Sequence, residues 1–402
     1  GSQAAAFQLP VVDHYCGVEA RMKKSLALQA ELIEEFGACV MDVTLDCEDG
    51  APAGQETAHA QMVRDTLLAH TAFFKPNQPV AGIKYAQSAI KNIVPRIGVR
   101  VHAIDHAAFA QDVQIIVGGA AQHIAYVMIP KVESAADVEV AAKAIDAAGG
   151  EKLPLHVLIE SSKAVSKAFE IAAHPRVQSI SFGLMDFVSS HGGAIPASAM
   201  TAQGQFAHPL VTRAKLEIAA ACHAHGKVPS HCVVTEFADT AKMQQAATQA
   251  SQQLGYTRMW SIHPSQVRPI LQAFAPDAKA IENATQIIAL GANHHWAPAS
   301  FDGQLHDRAS YRYYWQLLER AWATGAWRKR PCLLLCVLFS SQQTRPTRKP
   351  LHEQSFPPPA RSVPLSGLGG QLGCPAAGAN ARCKARAIPA RICGGSFYPS
   401  FT

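Results

Sequence analysis

The segment Leu155–Phe187, LHVLIESSKAVSKAFEIAAHPRVQSISFGLMDF, constrains the fold of this chain more than any other stretch. Leu155 to Ile159 is an apolar-rich run that stops at Glu160, and Val177 to Phe182 is a second that stops before Asp186. Two such runs joined by a helix read as a parallel βαβ unit. Ser161 or Ser162 suits the helix cap, and Val165, Ala168, Phe169 and Ala172 fall at helical spacing. Parallel strands deliver their C-terminal ends to one face, so Glu160 and Asp186 are expected side by side. Two hard carboxylates there suit Mg²⁺, which takes one or two protein carboxylates and fills its remaining positions with water and substrate. The same residues would also serve simply as caps for the helices that follow them.

The rest of the chain repeats this rhythm. A helix over 18–36 with an apolar stripe (Met22, Leu26, Leu28, Leu32, Ile33) ends at Gly37 and feeds a strand over 39–45. Asp46, Glu48 and Asp49 follow, with Gly50 and Pro52 as turn signals. A helix over 56–70 and a linker containing Pro76 and Pro79 precede a strand over 97–101, interrupted by Arg100. An arginine inside a buried strand is costly unless its guanidinium reaches a carboxylate, in the protein or in a ligand. A strand over 124–129 runs into Pro130, Lys131 and Glu133, and a helix over 134–147 follows. Beyond the central unit the pattern predicts helices over 209–224 and 239–254, and strands over 227–235 and 258–262, the last ending at His263. Polar chemistry at successive strand ends, with no GxGxxG or P-loop motif, points to a (β/α)₈ barrel. The expected organisation is a barrel over 1–290, a C-terminal lid or arm over 291–325 containing a loop at 302–304 and a helix over 308–323, and a tail over 326–402.

Composition separates that tail from the body. From Ala326 onward there are 11 Lys and Arg against one acidic residue, so the tail carries +10 of the formal +6 and the body is left at −4. A mildly acidic body argues against nucleic-acid binding. The tail also holds ten prolines and no sustained periodicity, and is expected to be disordered, or the artefact of a shifted reading frame. Cys16, Cys39, Cys47, Cys222 and Cys232 form no zinc spacing, which suits a reducing compartment. With no signal peptide, a Gly1–Ser2 start that looks like a cloning scar, and only the short apolar run 332–339, a soluble cytoplasmic protein is expected.

The motifs LDCEDGAP (45–52), VRVH (99–102), MIPKVESAADV (128–138), LIES (158–161), FGLMDF (182–187), SIHPSQV (261–267) and DGQLHDRASYR (302–312), in this order and spacing, resemble the HpcH/HpaI aldolase family, with its citrate lyase beta subunit and malyl-CoA lyase branches. The resemblance implies a Mg²⁺-dependent (β/α)₈ barrel that makes or breaks carbon–carbon bonds beside a carboxylate and a carbonyl, often on CoA thioesters. It implies Glu160 and Asp186 as metal ligands and Arg100 as a bidentate grip on the substrate carboxylate that also holds the developing charge. Asp46, Glu48 and Asp49 become the acidic turn beneath that arginine, Lys131 and Glu133 the pair bordering the site, and His263 a further substrate contact. Asp307 becomes the acid/base residue, supplied by the arm of a neighbouring subunit in a homo-oligomer, although Asp also suits an N-cap before Arg308.

Three departures bear on the substrate. VVDHYCGVEAR (11–21) replaces the family's usual first-strand turn, Ser230, His231 and Cys232 stand where Ile-Asp-Gly is usual, and His102 replaces an asparagine. The first two lie where the lyases accommodate the CoA arm, so the substrate is expected to be a small carboxylate, either a CoA thioester or a free hydroxy or keto acid. The competing readings are a phosphoenolpyruvate mutase or oxaloacetate hydrolase on a similar barrel, and a partner-dependent subunit that binds metal and keto acid without turnover.

Overall fold

A computed structural model describes residues 9–49, 52–73 and 93–327 of the chain. The expectations for Gly50, for the Pro76–Pro79 linker and for nearly all of the tail lie outside the described residues. Eight parallel strands close into a barrel in sequence order. They are β1 (Val12–Cys16), β2 (Met41–Asp46), β3 (Ile97–Arg100), β4 (Tyr126–Ile129), β5 (Leu155–Ile159), β6 (Val177–Phe182), β7 (Val228–His231) and β8 (Arg258–Ser261). β1 and β8 pair through Val12 with Met259 and His14 with Ser261, which completes the ring. The TIM barrel is thus the architecture of the chain. Several strands differ in extent from their sequence reading: β2 and β4 each begin two residues later, at Met41 and Tyr126, β3 and β8 each end one residue earlier, and β7 ends at His231 rather than running to Thr235.

The strands are buried on both faces, but the two faces differ in chemistry. Outward side chains such as Val43, Leu45, Val99, Val127, Ile159, Ile180 and Met259 join the large apolar core beneath the helices. Inward positions are largely polar, as hydrogen bonds across the barrel show. The Tyr126 hydroxyl on β4 donates to Asp13 on β1 at 3.1 Å, and Trp260 Nε1 on β8 donates to Ser181 on β6 at 3.0 Å. Arg258 on β8 lies 2.8 Å from Asp42 and 3.1 Å from Asp13. Gly98 leaves room for the Tyr126 ring, since a Cβ there would fall 2.1 Å from it.

The helix expected between β5 and β6 is broken at Lys167 into Ser162–Ser166 and Ala168–Ala173. Beyond the barrel, the helix Ala278–Asn293 packs through Ala284, Ile287 and Ile288 on Tyr311, Trp315 and Leu318 of the helix Arg308–Ala323. Between them lies an antiparallel hairpin, β9 (Ala299–Phe301) and β10 (Gln304–His306), where sequence reading placed only a loop. Its tip, Asp302 and Gly303, has φ of 49° and 74°, the left-handed pair of a tight hairpin turn. Among the described residues no helix is long and apolar enough to cross a membrane.

Candidate active site

β2 and β3 pair with Asp46 opposite Arg100, so both side chains arrive at the same level of the barrel mouth. Arg100 Nε donates to Asp46 Oδ1 at 2.5 Å, Nη2 donates to Asp49 Oδ2 at 2.7 Å, and Nη1 lies 2.8 Å from Glu48 Oε2. Nη2 also donates to the Tyr15 hydroxyl, which in turn donates to Asp46 Oδ2 at 2.7 Å. Against the cost of burying it, Asp46, Tyr15 and Glu48 hold the guanidinium charged, well above its ordinary pKa. A guanidinium has five N–H bonds. Three are committed to Asp46, Asp49 and Tyr15 and a fourth faces Glu48, which leaves one on Nη1 rather than the two that a bidentate grip on a substrate carboxylate requires.

Glu48 links this cluster to the next strand. Its other oxygen accepts from Lys131 Nζ at 2.7 Å. Lys131 follows β4 with φ of 53°, a left-handed conformation that a lysine rarely adopts, and its ammonium is held above its ordinary pKa by Glu48, Asp186 and Glu160 in spite of partial burial. Burial, with the nearby charge of Asp49, raises the carboxyl of Glu48 itself, against the pull of Arg100 and Lys131.

Glu160 follows β5 directly and is buried, with Oε2 left without a hydrogen-bond partner. Burial, reinforced by the charges of Asp186 and Glu48, pushes its carboxyl up to about 8. Asp186 projects from the first turn of the helix Leu184–Ser189 after β6 and is exposed. Among the described residues no group of three or more His, Cys, Asp or Glu is placed to hold a metal ion. A pair of carboxylates with an orphaned, electrostatically strained oxygen does fit Mg²⁺, whose sites keep several positions for water and substrate.

The remaining sequence candidates lie at the edge of this centre. Glu133 accepts from Ser161 Oγ at 2.6 Å and lies 3.7 Å from Lys163 Nζ, so it braces the start of the helix after Glu160. Ser161 is that helix's N-cap. His263 caps the short turn Pro264–Gln266 and stacks on the exposed Phe237 at 4.9 Å, on the β8 side of the mouth. Asp307 is exposed, and its carboxylate accepts from the backbone N–H groups of Ala309 and Ser310 in a capping box with Ser310. Among the described residues it joins none of the mouth side chains by hydrogen bond or ion pair.

Of the departures at 230–232, His231 and Cys232 pack into the helix layer and do not line the mouth. His231 is buried against Phe206 and Tyr256 in the helix layer, and Cys232 Sγ lies 3.1 Å from Gln205 Oε1, which also accepts from the buried Lys215 at 2.7 Å. His102 turns away to bond Asp112 at 2.6 Å. Sequence reasoning passed over Tyr15, Trp260 and Gly183. The available signal was the alternation Asp13, Tyr15 in VVDHYC, which places polar side chains on one face of a first strand.

A closed (β/α)₈ barrel with an arginine-centred, acidic mouth at its strand ends defines the class, a TIM-barrel enzyme. Residues 26–264 match the HpcH/HpaI aldolase/citrate lyase family, and the chain belongs to it. The L-malyl-CoA/beta-methylmalyl-CoA lyase of Rhodobacter capsulatus is 34% identical over 233 residues, 54% of this chain and 73% of that protein. A crystal structure of a citrate lyase from Burkholderia xenovorans is 44% identical, with a TM-score of 0.66 over 82% of this chain and 97% of that one. The citrate lyase beta subunit of Mycobacterium tuberculosis, solved with oxaloacetate and magnesium, is 25% identical at a TM-score of 0.50, covering 67% of this chain and 99% of that one.

Proposed function

We propose that this chain is a Mg²⁺-dependent carbon–carbon lyase that splits a hydroxy-acyl-CoA, or a related hydroxy or keto acid, and releases an α-keto acid. The observation that carries the reading is the buried, unpartnered Glu160 oxygen beside Asp186, on the same mouth as a charged Arg100. The relatives' names support the reaction class, and the beta subunit solved with oxaloacetate and magnesium supports both the metal and an α-keto acid product.

Glu160 and Asp186 would hold the ion, which when bound supplies Lewis-acid polarisation of a keto-acid carbonyl and neutralises charge there. Cleavage passes the hydroxyl proton to a carboxylate at the mouth, turns that oxygen into the keto-acid carbonyl as the carbon–carbon bond breaks, and leaves the bond's electron pair as an enolate on the acyl fragment. Arg100 offers its one remaining N–H, on Nη1, to the oxygen where that charge develops, and Asp46, Asp49 and Tyr15 keep it from turning. Glu48 couples Arg100 to Lys131, so the two cations face the developing charge from adjacent strands. The enolate carbon then needs a proton, and a carboxyl group such as Asp307, reaching across from a neighbouring subunit of a homo-oligomer, would deliver it. The five free thiols among the described residues agree with a cytoplasmic setting.

The test is to incubate purified protein and Mg²⁺ with malyl-CoA, citramalyl-CoA, citryl-CoA and the corresponding free acids, following glyoxylate, pyruvate and oxaloacetate. Mg²⁺-dependent release of a keto acid from at least one substrate is expected. Release from none of them, by protein shown to be folded and oligomeric, would refute the lyase assignment.

A further inference from the structure

Tyr15 stands on β1 where the first-strand sequence departs from the family resemblance, and it contacts the arginine centre through both its hydroxyl and its ring. Its hydroxyl accepts from Arg100 Nη2 and donates to Asp46 Oδ2 at 2.7 Å. The Arg100 guanidinium carbon lies 4.5 Å from the Tyr15 ring centroid, and Trp260 stacks on Tyr15 at 5.4 Å with 22° between the planes. Trp260 is anchored in turn by its hydrogen bond to Ser181 on β6. A continuous layer therefore runs from β6 through β8 and β1 to β3 beneath the mouth. Both Nη2 hydrogens are thereby occupied, by Asp49 and Tyr15, and the free N–H is left on Nη1, the side facing Glu48.

We propose that Tyr15 is the positioning residue for Arg100: its phenol locks the guanidinium to Asp46, and its ring, supported by Trp260, forms the shelf that aims the remaining Nη1 hydrogen at the oxyanion formed during cleavage. The proposal rests on the lyase reading for what the oxyanion is, but its geometry concerns this chain's residues alone. Phenylalanine at 15 keeps the shelf and loses the lock, whereas leucine loses both.

The experiment is a double-mutant cycle with Tyr15→Phe, Arg100→Lys and the double variant, read in two ways. The first is turnover on whichever substrate wild type cleaves. The second is affinity for oxalate in the presence of Mg²⁺ by calorimetry, since this planar dianion mimics an enolate and needs no turnover. Tyr15→Phe is expected to lower kcat by about tenfold with KM changed less than about threefold, and to weaken oxalate by a similar factor. In the Arg100→Lys background it should add nothing to either loss, because a residue acting only through Arg100 has nothing left to position. Tyr15→Leu should also shift the Trp260 emission, identified by comparison with Trp260→Phe, while Tyr15→Phe leaves it in place. If wild type cleaves nothing, the lyase reading fails while the oxalate cycle still decides the role of Tyr15. Wild-type oxalate affinity in Tyr15→Phe, or a Tyr15→Phe loss that adds in full to that of Arg100→Lys, would overturn the proposal.

Discussion

Gly183 backs directly onto Glu160: a Cβ on the glycine would fall 2.5 Å from Glu160 Cγ and 2.8 Å from its carboxyl carbon. The glycine is needed at this position for space, since its φ of −90° is open to any residue. Glu160 has little freedom to retreat because it is buried, directly after the end of β5.

Gly183→Ala is therefore expected to fold but to displace the Glu160 carboxylate, lowering Mg²⁺ affinity by about tenfold or more. Calorimetric titration with Mg²⁺ beside a thermal melt checks this. Unaltered affinity would mean that the Glu160 position is not set by this contact.

Glu160→Gln and Asp186→Asn keep side-chain shape and remove one negative charge each from a hard-cation site. Each should weaken Mg²⁺ by about 100-fold and abolish metal-dependent turnover while leaving the far-UV circular dichroism and cooperative unfolding intact. Mg²⁺ binding at wild-type strength in both variants would show that the ion sits elsewhere.

Away from the mouth, Lys215 gives a pH-dependent prediction. It lies in the helix Pro209–His225, fully buried, with its ammonium donating to Gln205 and 4.0 Å from the Phe206 ring. Burial pulls its pKa down to about 8 from 10.5. Between these values the unfolded chain binds the proton more tightly than the folded one, so stability from this group rises with pH, is complete above about 10.5, and is fully lost below about 8. The full difference amounts to about 3 kcal/mol. Lys215→Met removes it. Urea unfolding of both proteins at pH 7 and pH 9.5 should show wild type gaining about 2 kcal/mol on the variant, the buried thiols nearly cancelling in the comparison. A gap that does not change with pH would mean that Lys215 stays charged and hydrated in the folded protein, as it is in the unfolded chain.

What was legible in the sequence follows from which physical signal each feature carries. β5 and β6 were readable to the residue because their outward faces are apolar and each run ends abruptly, at Glu160 and at Gly183. The mouth order Asp46, Arg100, Lys131, Glu160, Asp186 follows from parallel strands alone. Tyr15 was not legible as a site residue, because its importance lies in two packing partners, Trp260 and Arg100, that are 245 and 85 positions away. The inward polar layer of Asp13, Asp42, Tyr126 and Arg258 needs barrel register before its charges pair, and until then each reads as an interruption of a strand. The hairpin at Asp302–Gly303 did carry a signal, since Asp-Gly is the dipeptide that a tight hairpin turn prefers. Arg100 was expected to grip a ligand carboxylate, but the chain supplies three carboxylates of its own, and that count depends on side-chain reach that strand position alone does not give.

Asp307 carries the prediction that joins oligomeric state to chemistry. Within the chain it is a complete N-cap, with its carboxylate on Ala309 and Ser310 N–H and the Ser310 hydroxyl returning to the Asp307 backbone N–H at 3.0 Å. Capping alone predicts that Asp307→Ala costs about 1 kcal/mol of stability and leaves the rate nearly unchanged. An acid/base role predicts a loss of about 10² to 10⁴ in turnover. The residue is exposed at the start of a helix packed on Ala278–Asn293, where a carboxylate can cap its own helix and still present an oxygen to a neighbouring subunit. Oδ1 makes both cap bonds, which leaves Oδ2 for that purpose. Asp307→Ala and Arg100→Ala are each expected to be folded and inactive. When the two are mixed under conditions of subunit exchange, activity should return in part, since some interfaces then pair an intact Arg100 with an intact Asp307. Mixed oligomers that form, by mass spectrometry of differently tagged chains, without any recovery of activity would restrict Asp307 to its own helix and leave the proton at the enolate carbon to another group.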